Sequence, residues 1–275
     1  MYTDVNVVDG TETVARVRAA NPALKDRVNP SILNTKRDPN RTTEHYTETD
    51  DVSVIETLNA HGWFIKEYNE LRPHKHSRQG YQKYLAVYEN EDLTFQTEKG
   101  KARLLQIGSH DGTKPLIINA GFFTFACANG CIIGDNLFDP ISVKHIGELP
   151  MQVEEAVSKF VDAVPLVFRK VDQMVNTQIN VLEAHSFVRE AVKLRFKDEN
   201  AVQVDDVLKV HRAEDDNNSL WSVFQRVQEN LIKSYDGFKA QSTNNKTRKV
   251  RSITNIDANV RINKGLWQLA EQFLR

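Results

Sequence analysis

A change in hydrophobic period near the middle of the chain limits the folds that it can adopt. Before residue 130, short apolar segments rich in β-branched and aromatic residues are separated by Gly, Asn, Asp or Pro, which is typical of strands. After Pro150, apolar residues recur every three or four positions, which predicts helices. Strands followed by helices predict an α+β fold, in which a small, mostly antiparallel sheet is packed by the later helices.

The same patterns predict individual elements. A short helix is expected after Asp50, with Thr49 or Asp50 as its N-cap and Gly62 at its end. Strands are expected over residues 63–68, 84–88, 103–107, 116–118 and 121–127. Helices are expected from residue 153 onward, around 181–196 and 219–234, and near the C-terminus, and Pro165 should kink or interrupt the first of them.

Three regions are expected along the 275 residues. Residues 1–45 are polar and lack an apolar period, so they predict an irregular N-terminal arm. Residues 46–180 hold the predicted α+β core. Residues 181–275 form a predicted helical region that contains a basic linker at 239–256.

Composition restricts the compartment and the partners. Lys and Arg number 36 against 37 Asp and Glu, which excludes a nucleic-acid-binding protein that is basic over its whole surface. No run of about 18 apolar residues predicts a membrane span, and the N-terminus lacks the pattern of a secretory signal. With only two cysteines, a disulfide framework is not expected. We therefore expect a cytoplasmic protein, located in the host cytoplasm if a phage encodes it.

Two stretches are basic although the whole chain is neutral. No acidic residue lies between Glu70 and Glu89, or between Lys239 and Ile256. Cations interleaved with tyrosines favour single-stranded nucleic acid, since cations neutralise phosphates and rings stack on bases. The alternative is that both stretches are solvated loops and that Tyr84 faces the core. The candidate nucleic-acid-binding residues are Arg72, Lys75, Arg78, Tyr81, Lys83, Tyr84, Lys246, Arg248, Lys249 and Arg251.

Two turn-like motifs are also candidates for a site. The segment Ser109-His110-Asp111-Gly112-Thr113 predicts a turn with Gly112 at positive φ, and Asn129-Gly130 predicts a second turn. The alternative is a patch on neighbouring ends of one sheet that joins both turns to Cys127 and His145. Catalysis by Ser109 and His110 is disfavoured, because no separate Asp completes a triad.

The same segments contain residue types that bind zinc. His110, Cys127, Cys131 and His145 supply the ligand types of a Cys₂His₂ site. The Cys-x₃-Cys spacing is wider than the usual Cys-x₂-Cys, so buried or incidental cysteines are the favoured interpretation. We therefore expect no metal and no cofactor.

The motifs resemble a known family. Residues 104–113, Ala120–Phe123, Cys127–Gly130, Gly134-Asp135 and Val143–His145 together resemble the phage/plasmid-like protein family, a DUF932-like domain of unknown function found on prophages, plasmids and integrative elements. The resemblance covers about residues 46–175. It implies a role in a mobile genetic element, such as recombination, DNA maintenance or counter-defence, and brings no established reaction.

These observations predict a mobile-element protein that engages DNA, preferably single-stranded, without covalent chemistry of its own. The alternative is a protein-binding module, a counter-defence or assembly factor. It would use helices 151–175 and 219–234 to bind a host or phage protein or to form a homo-oligomer.

Overall fold

The α+β fold predicted from the sequence is present in a computed structural model of the protein. The structure describes residues 10–25, 30–34, 36, 38–42, 50–72, 79–123, 131–132, 141–143, 149–196, 198–234, 237–241 and 247–274. The helices are α1 (Gly10–Ala20), α2 (Asp51–Ala60), α3 (Leu149–Asn176), α4 (Val181–Phe196), α5 (Val204–Leu208), α6 (Leu220–Lys233) and α7 (Ile256–Gln272). The strands are β1 (Trp63–Glu70), β2 (Tyr84–Asn90), β3 (Gln96–Thr97), β4 (Gly100–Gly108), β5 (Leu116–Phe123), β6 (Cys131–Ile132), β7 (Ile141–Val143), β8 (Lys239–Gln241) and β9 (Thr247–Lys249).

The main sheet has the order β1-β2-β4-β5-β6, with β3 paired to β4 and β7 paired to β5. The pairs β1/β2, β2/β4, β5/β6 and β5/β7 are antiparallel, as the sequence predicted. A register shift between Ile65 and Glu67 marks a β-bulge in β1. The strands β8 and β9 form a separate antiparallel sheet of two strands, which we call the basic hairpin.

The chain divides into two compact units. The first contains residues 1–96, 102–120 and 140–161, and the second contains residues 97–101, 121–139 and 162–275. In the first unit, Trp63 of β1 packs edge-on against Phe160 of α3 and also contacts Phe95. Helix α2 begins at its predicted N-cap, where the Asp50 side chain accepts a hydrogen bond from the Ser53 N–H.

The core of the second unit is centred on helix α6. Twelve of its residues are buried, and Phe224 stacks on Trp221 and meets the edge of Trp267 in α7. Ser219 caps its first turn, and Ser234 ends it in the left-handed conformation. The predicted helices 181–196 and 219–234 are confirmed as α4 and α6, because each segment carries an apolar period and α6 also has both of its capping residues within the segment.

The N-terminal region is more ordered than the sequence predicted. Residues 10–20 form α1, and Val17, Leu24 and Ile32 are buried. The Asn21 side chain accepts a hydrogen bond from the Ile65 N–H of β1 at 2.7 Å. The prediction of an irregular arm was therefore wrong for this segment, because three scattered apolar residues are buried by contacts that no local period reveals.

Two predicted boundaries differ from the structure. Of the two alternatives for Pro165, the interruption is absent, because helix α3 continues through this residue although proline removes a hydrogen bond and costs about 3 kcal/mol in a helix interior. The buried apolar face of α3 outweighs that cost, since each buried side chain contributes about 1.5–3 kcal/mol. The predicted strands 116–118 and 121–127 are joined, because Asn119 and Ala120 are buried and make no turn, so that residues 116–123 form the single strand β5; residues 124–127 lie outside the described residues.

The predicted basic linker is also structured where it is described. Residues 239–241 and 247–249 form the basic hairpin, and α7 begins at Ile256. None of the helices in the described part of the chain has both the length and the apolar content needed to cross a membrane.

Candidate functional site

The basic hairpin concentrates positive charge on a small surface. Its register places Lys239 opposite Lys249 and Ala240 opposite Arg248. Both lysines, Arg248 and the following Arg251 are exposed, and none of the four forms an ion pair with the residues that the structure describes. Like charges directly opposite each other destabilise a strand pair, so this arrangement costs stability unless an anion lies against it.

Arg195 of α4 holds the segment that follows the hairpin. Its guanidinium donates hydrogen bonds to the backbone carbonyls of Leu231 and Arg251, and to Ser234 Oγ at 3.2 Å. Burial lowers its pKa below the ordinary value of arginine. These bonds use the guanidinium to fix backbone, which makes Arg195 a positioning residue for Arg251.

A cleft of about 640 Å³ lies beside the basic hairpin. Its walls include Arg248, Lys249 and Arg251, together with Phe196 and one acid, Asp198. The Phe196 ring is half-buried, and the Arg195 guanidinium lies 5.2 Å from its centroid. The cleft therefore combines exposed cations with an aromatic ring, which are the two features that a single strand needs.

The first predicted basic segment is described only in part. Arg72 is exposed, and Tyr81 and Lys83 are half-buried, whereas Lys75 and Arg78 lie outside the described residues. Tyr84 is 0% exposed, and its hydroxyl donates a hydrogen bond to Asp51. Tyr84 is therefore removed from the predicted nucleic-acid surface, because no base can stack on a fully buried ring.

The second basic segment keeps three of its four predicted residues. Arg248, Lys249 and Arg251 are exposed as predicted, and Lys246 lies outside the described residues. The two basic segments belong to different compact units. The binding role of every one of these residues stays a prediction.

The Ser109–Thr113 motif connects β4 to β5 through a side-chain-stabilised bend. Asp111 Oδ1 accepts hydrogen bonds from the Thr113 N–H at 3.1 Å and the Thr113 hydroxyl at 2.5 Å, and Gly112 has a φ of 73°. Arg41 donates to Asp111 Oδ2 at 2.9 Å. The hydrogen bonds from Thr113 and Ser109 and the charge of Arg41 outweigh desolvation, the largest single influence, and lower the pKa of Asp111. The turn prediction for this motif is confirmed.

His110 belongs to the interior of the first unit. It is 1% exposed, and its Nε2 lies 3.0 Å from Asp51 Oδ2. Asp51 also accepts hydrogen bonds from the Tyr84 hydroxyl at 2.6 Å and from Gln106 Nε2 at 3.2 Å. We call Asp51, Tyr84, Tyr88, Gln106 and His110 the buried polar cluster.

Burial makes this cluster a structural feature of the first unit. Tyr88 is also 0% exposed, and its hydroxyl donates to Gln106 Oε1 at 2.5 Å. Since Ser109 and His110 are both buried, the predicted surface patch is corrected at these two positions. The side chains of Asp51, Tyr84, Tyr88 and Gln106 gain hydrogen-bond partners that replace water, which is the condition for burying them without a large penalty, whereas His110 Nδ1 has no such partner among the described residues.

Cys127, Asn129, Gly130 and His145 lie outside the described residues, so a joint patch with Ser109–Thr113 stays a prediction. Cys131 begins β6, where its backbone pairs with Phe122. Among described residues, no three His, Cys, Asp or Glu side chains are grouped as a metal ion would require.

The helices proposed for a protein interface differ in exposure. Most of α6 is buried in the core of its unit, which removes 219–234 as an available interface. Helix α3 exposes Met151, Val161 and Leu166. The start of α4 exposes Val181 by 67% and Leu182 by 80%.

Comparison with known proteins identifies the family. The model of the family described as Domain of unknown function (DUF932) matches residues 41–267. The chain belongs to this DUF932 family. Two relatives from Escherichia coli (strain K12) are the UPF0380 protein YafZ, 29% identical, and the UPF0380 protein YfjQ, 27% identical, each over 96% of this chain and 98% of its own length. No solved structure matches the chain significantly.

Membership in the DUF932 family confirms the resemblance drawn from the motifs, and the match extends well beyond residue 175. Sequence reasoning missed two features of this family member. Asp51, the partner of His110, was assigned only to a helix start, and no local signal links the two residues. Lys239 was seen only as the end of an acid-free stretch, although its alternation with Ala240 and Gln241 is a weak strand signal.

Proposed function

We propose that this DUF932 protein binds DNA, preferably single-stranded, through the basic hairpin and its adjoining cleft. The proposed role is in recombination or maintenance of a mobile genetic element, without covalent chemistry of its own. The observation that carries the proposal is the pairing of Lys239 with Lys249 beside the exposed Arg248 and Arg251.

Phosphate binding accounts for this charge arrangement. Four exposed cations on one hairpin and the residues that follow it repel one another, and phosphates spaced along a strand relieve that repulsion. Each neutralised phosphate releases a counterion, so the affinity depends on the salt concentration. A protein with a net charge of −1 gains this attraction only where its cations are locally concentrated.

The preference for a single strand is supported by the cleft. Phe196 offers a partly exposed ring beside the cations, and an unpaired base stacks on such a ring for about 1–3 kcal/mol. A duplex keeps its bases stacked inside and gains only the phosphate contacts. Tyr81, half-buried in the first unit, is a second candidate ring.

The test measures the affinity for a fluorescent 40-mer single strand at several salt concentrations. The wild type is expected to show a linear fall of log affinity with log salt. In Arg248→Ala/Lys249→Ala, the slope is expected to decrease by about 1.4, which is 0.7 for each lost phosphate contact. Phe196→Leu is expected to weaken binding without changing the slope.

A matched control removes the same charge elsewhere in the second unit. Arg169 and Lys170 lie on α3, outside the hairpin and its cleft, so Arg169→Ala/Lys170→Ala should leave the slope unchanged. If the control flattens the slope as much as the hairpin variant does, the attraction is not specific to the hairpin. Absence of binding at low salt would refute the proposal.

The alternative function is supported by a different surface. Val181 and Leu182 are the most exposed apolar residues of α4, and burying them would favour a protein partner or a second copy of this chain. A concentration-dependent change in mass that Leu182→Ser abolishes, together with absent DNA binding, would favour this alternative.

A further inference from the structure

The second unit contains a cavity of about 470 Å³ that lies apart from the basic hairpin. Helix α6 contributes Trp221, Ser222 and Gln225 to its wall. The segment before α6 contributes Arg212, Glu214 and Asp215, and Val175, Gln178 and the pair Glu98/Lys99 complete most of the wall. A volume of this size is within the range of sites for small organic molecules.

Acidic groups outnumber basic groups around the cavity. Glu98, Glu214 and Asp215 line it with Lys99 and Arg212 as the cations. Arg212 is shared, since its Nη2 lies 2.5 Å from Asp215 Oδ2 and 3.5 Å from Glu229 Oε2. These three side chains are 14%, 6% and 5% exposed, so one buried guanidinium balances two buried carboxylates. The cavity is therefore surrounded by an excess of negative charge, which favours a cationic ligand.

The charge balance around Asp215 affects its protonation. Desolvation raises the pKa of Asp215 to about 6, since burial and the negative charges of Glu214 and Glu229 outweigh the attraction of Arg212 and Arg226. A bound cation would offset this penalty by pairing with the ionised form.

A second observation points to a ligand rather than to a structural ion pair alone. Gln225 is 3% exposed and lines the cavity, yet its side-chain amide makes no hydrogen bond to any residue that the structure describes. The polar atoms of this amide are open to the cavity rather than sealed in the protein, so a group bound there can reach them. A hydrogen-bond donor of a ligand in the cavity would give the amide oxygen of Gln225 a partner.

We propose that this cavity binds the ammonium or guanidinium group of a small organic cation, with Asp215 and Gln225 as its acceptors. A primary ammonium has three donors and no acceptor, which matches a wall rich in carboxylate, amide and hydroxyl oxygens. Trp221 and Val175 provide apolar surface for a short aliphatic stem. The site is separate from the DNA proposal and shares none of its residues.

An ammonium group on an aliphatic stem occurs both in a free amine and in the lysine side chain of another polypeptide. The probes are therefore cadaverine and a blocked Gly-Lys-Gly peptide, measured by calorimetry at pH 7.5. Pentane-1,5-diol has the same stem without charge and serves as the ligand control. The affinity for cadaverine is expected to be much higher than the affinity for the diol. If the peptide binds more tightly than cadaverine, the ligand is a lysine side chain.

Two substitutions test the acceptors. Asp215→Asn keeps the shape of the side chain but removes a charged acceptor. It is expected to weaken the affinity for cadaverine at least about tenfold. Gln225→Met keeps the size of the side chain without its amide and is expected to weaken the affinity for cadaverine about fivefold. Asp216→Asn makes the same charge change at the next residue, which does not line the cavity, and should leave binding unchanged.

Binding should also depend on pH. Since Asp215 must be ionised, the affinity is expected to be about tenfold weaker at pH 5 than at pH 7.5. Glu214, Glu229, Arg212 and Arg226 face Asp215. His211 is the nearest histidine in the chain, so His211→Gln must retain the dependence if Asp215 is its cause.

Several results would overturn the proposal. Equal binding of the diol and cadaverine would mean that charge is not recognised. Equal weakening by Asp216→Asn and Asp215→Asn would mean diffuse attraction to an acidic surface. Thermal melting verifies the fold of each variant, and if Asp215→Asn does not fold, unchanged binding by Gln225→Met refutes the site by itself.

Discussion

Removing one hydroxyl from the buried polar cluster measures how strongly the cluster stabilises the first unit. Tyr84 and Tyr88 are both 0% exposed, and each donates one hydrogen bond to another member of the cluster. Tyr84 donates to the Asp51 carboxylate, and Tyr88 donates to the amide oxygen of Gln106. Phenylalanine keeps each ring and its packing. Tyr88→Phe removes the donor of an amide oxygen, whereas Tyr84→Phe removes the donor of a carboxylate and also the oxygen that accepts from Gln106 Nε2 at 3.3 Å.

The expected costs follow from those acceptors. A hydrogen bond to a charged group contributes about 1.5–3 kcal/mol to the free energy of unfolding, and a neutral bond contributes about 0.5–1.5 kcal/mol. Tyr84→Phe should therefore cost about twice as much as Tyr88→Phe. The Asp51 carboxylate keeps Gln106 Nε2 as a donor and His110 Nε2 nearby, which limits the loss.

The assay is urea unfolding at pH 7.5, followed by tryptophan fluorescence. The free energy of unfolding in water is compared between the wild type and the two variants at equal m-values. Tyr88→Phe is the matched control, since it removes the same atom from the same buried surroundings. If Tyr84→Phe costs no more than Tyr88→Phe, the carboxylate of Asp51 is not the centre of the cluster and the reasoning fails.

Three further predictions concern stability. Burial raises the pKa of Tyr84 and Tyr88 well above 10, so the folded state keeps protons that the unfolded chain loses. The free energy of unfolding should therefore fall above pH 10 by about 1.4 kcal/mol per pH unit for each tyrosine, and a flat urea profile from pH 9 to 11 would contradict this. Gly108→Ala would place a methyl group against the Tyr84 hydroxyl and should cost about 1–3 kcal/mol, with a smaller cost in the Tyr84→Phe background as measured by a double-mutant cycle. Pro165→Ala should raise the free energy of unfolding by about 1–3 kcal/mol, because the exposed proline interrupts the hydrogen bonds of α3, and an unchanged melting temperature would show that this helix has already compensated for the proline.

The elements that the sequence determined are those whose cause is local. Helix α6 begins and ends as predicted because a serine cap, an apolar period and a terminating residue all lie within 219–234. Asp50 was a predicted cap of α2 for the same reason. The α+β order and the DUF932 resemblance were likewise readable from segments that are continuous in the chain.

Tertiary structure decided the features that depend on residues far apart in the chain. Whether Tyr84 meets solvent or the core depends on the packing of its strand, and this packing places its hydroxyl on Asp51 beside His110. The opposition of Lys239 and Lys249 depends on strand register, which is set only when the two strands pair. Helix α3 passes through Pro165 because burial of its apolar face between Val153 and Met174 outweighs one missing hydrogen bond, and burial exists only in the folded chain.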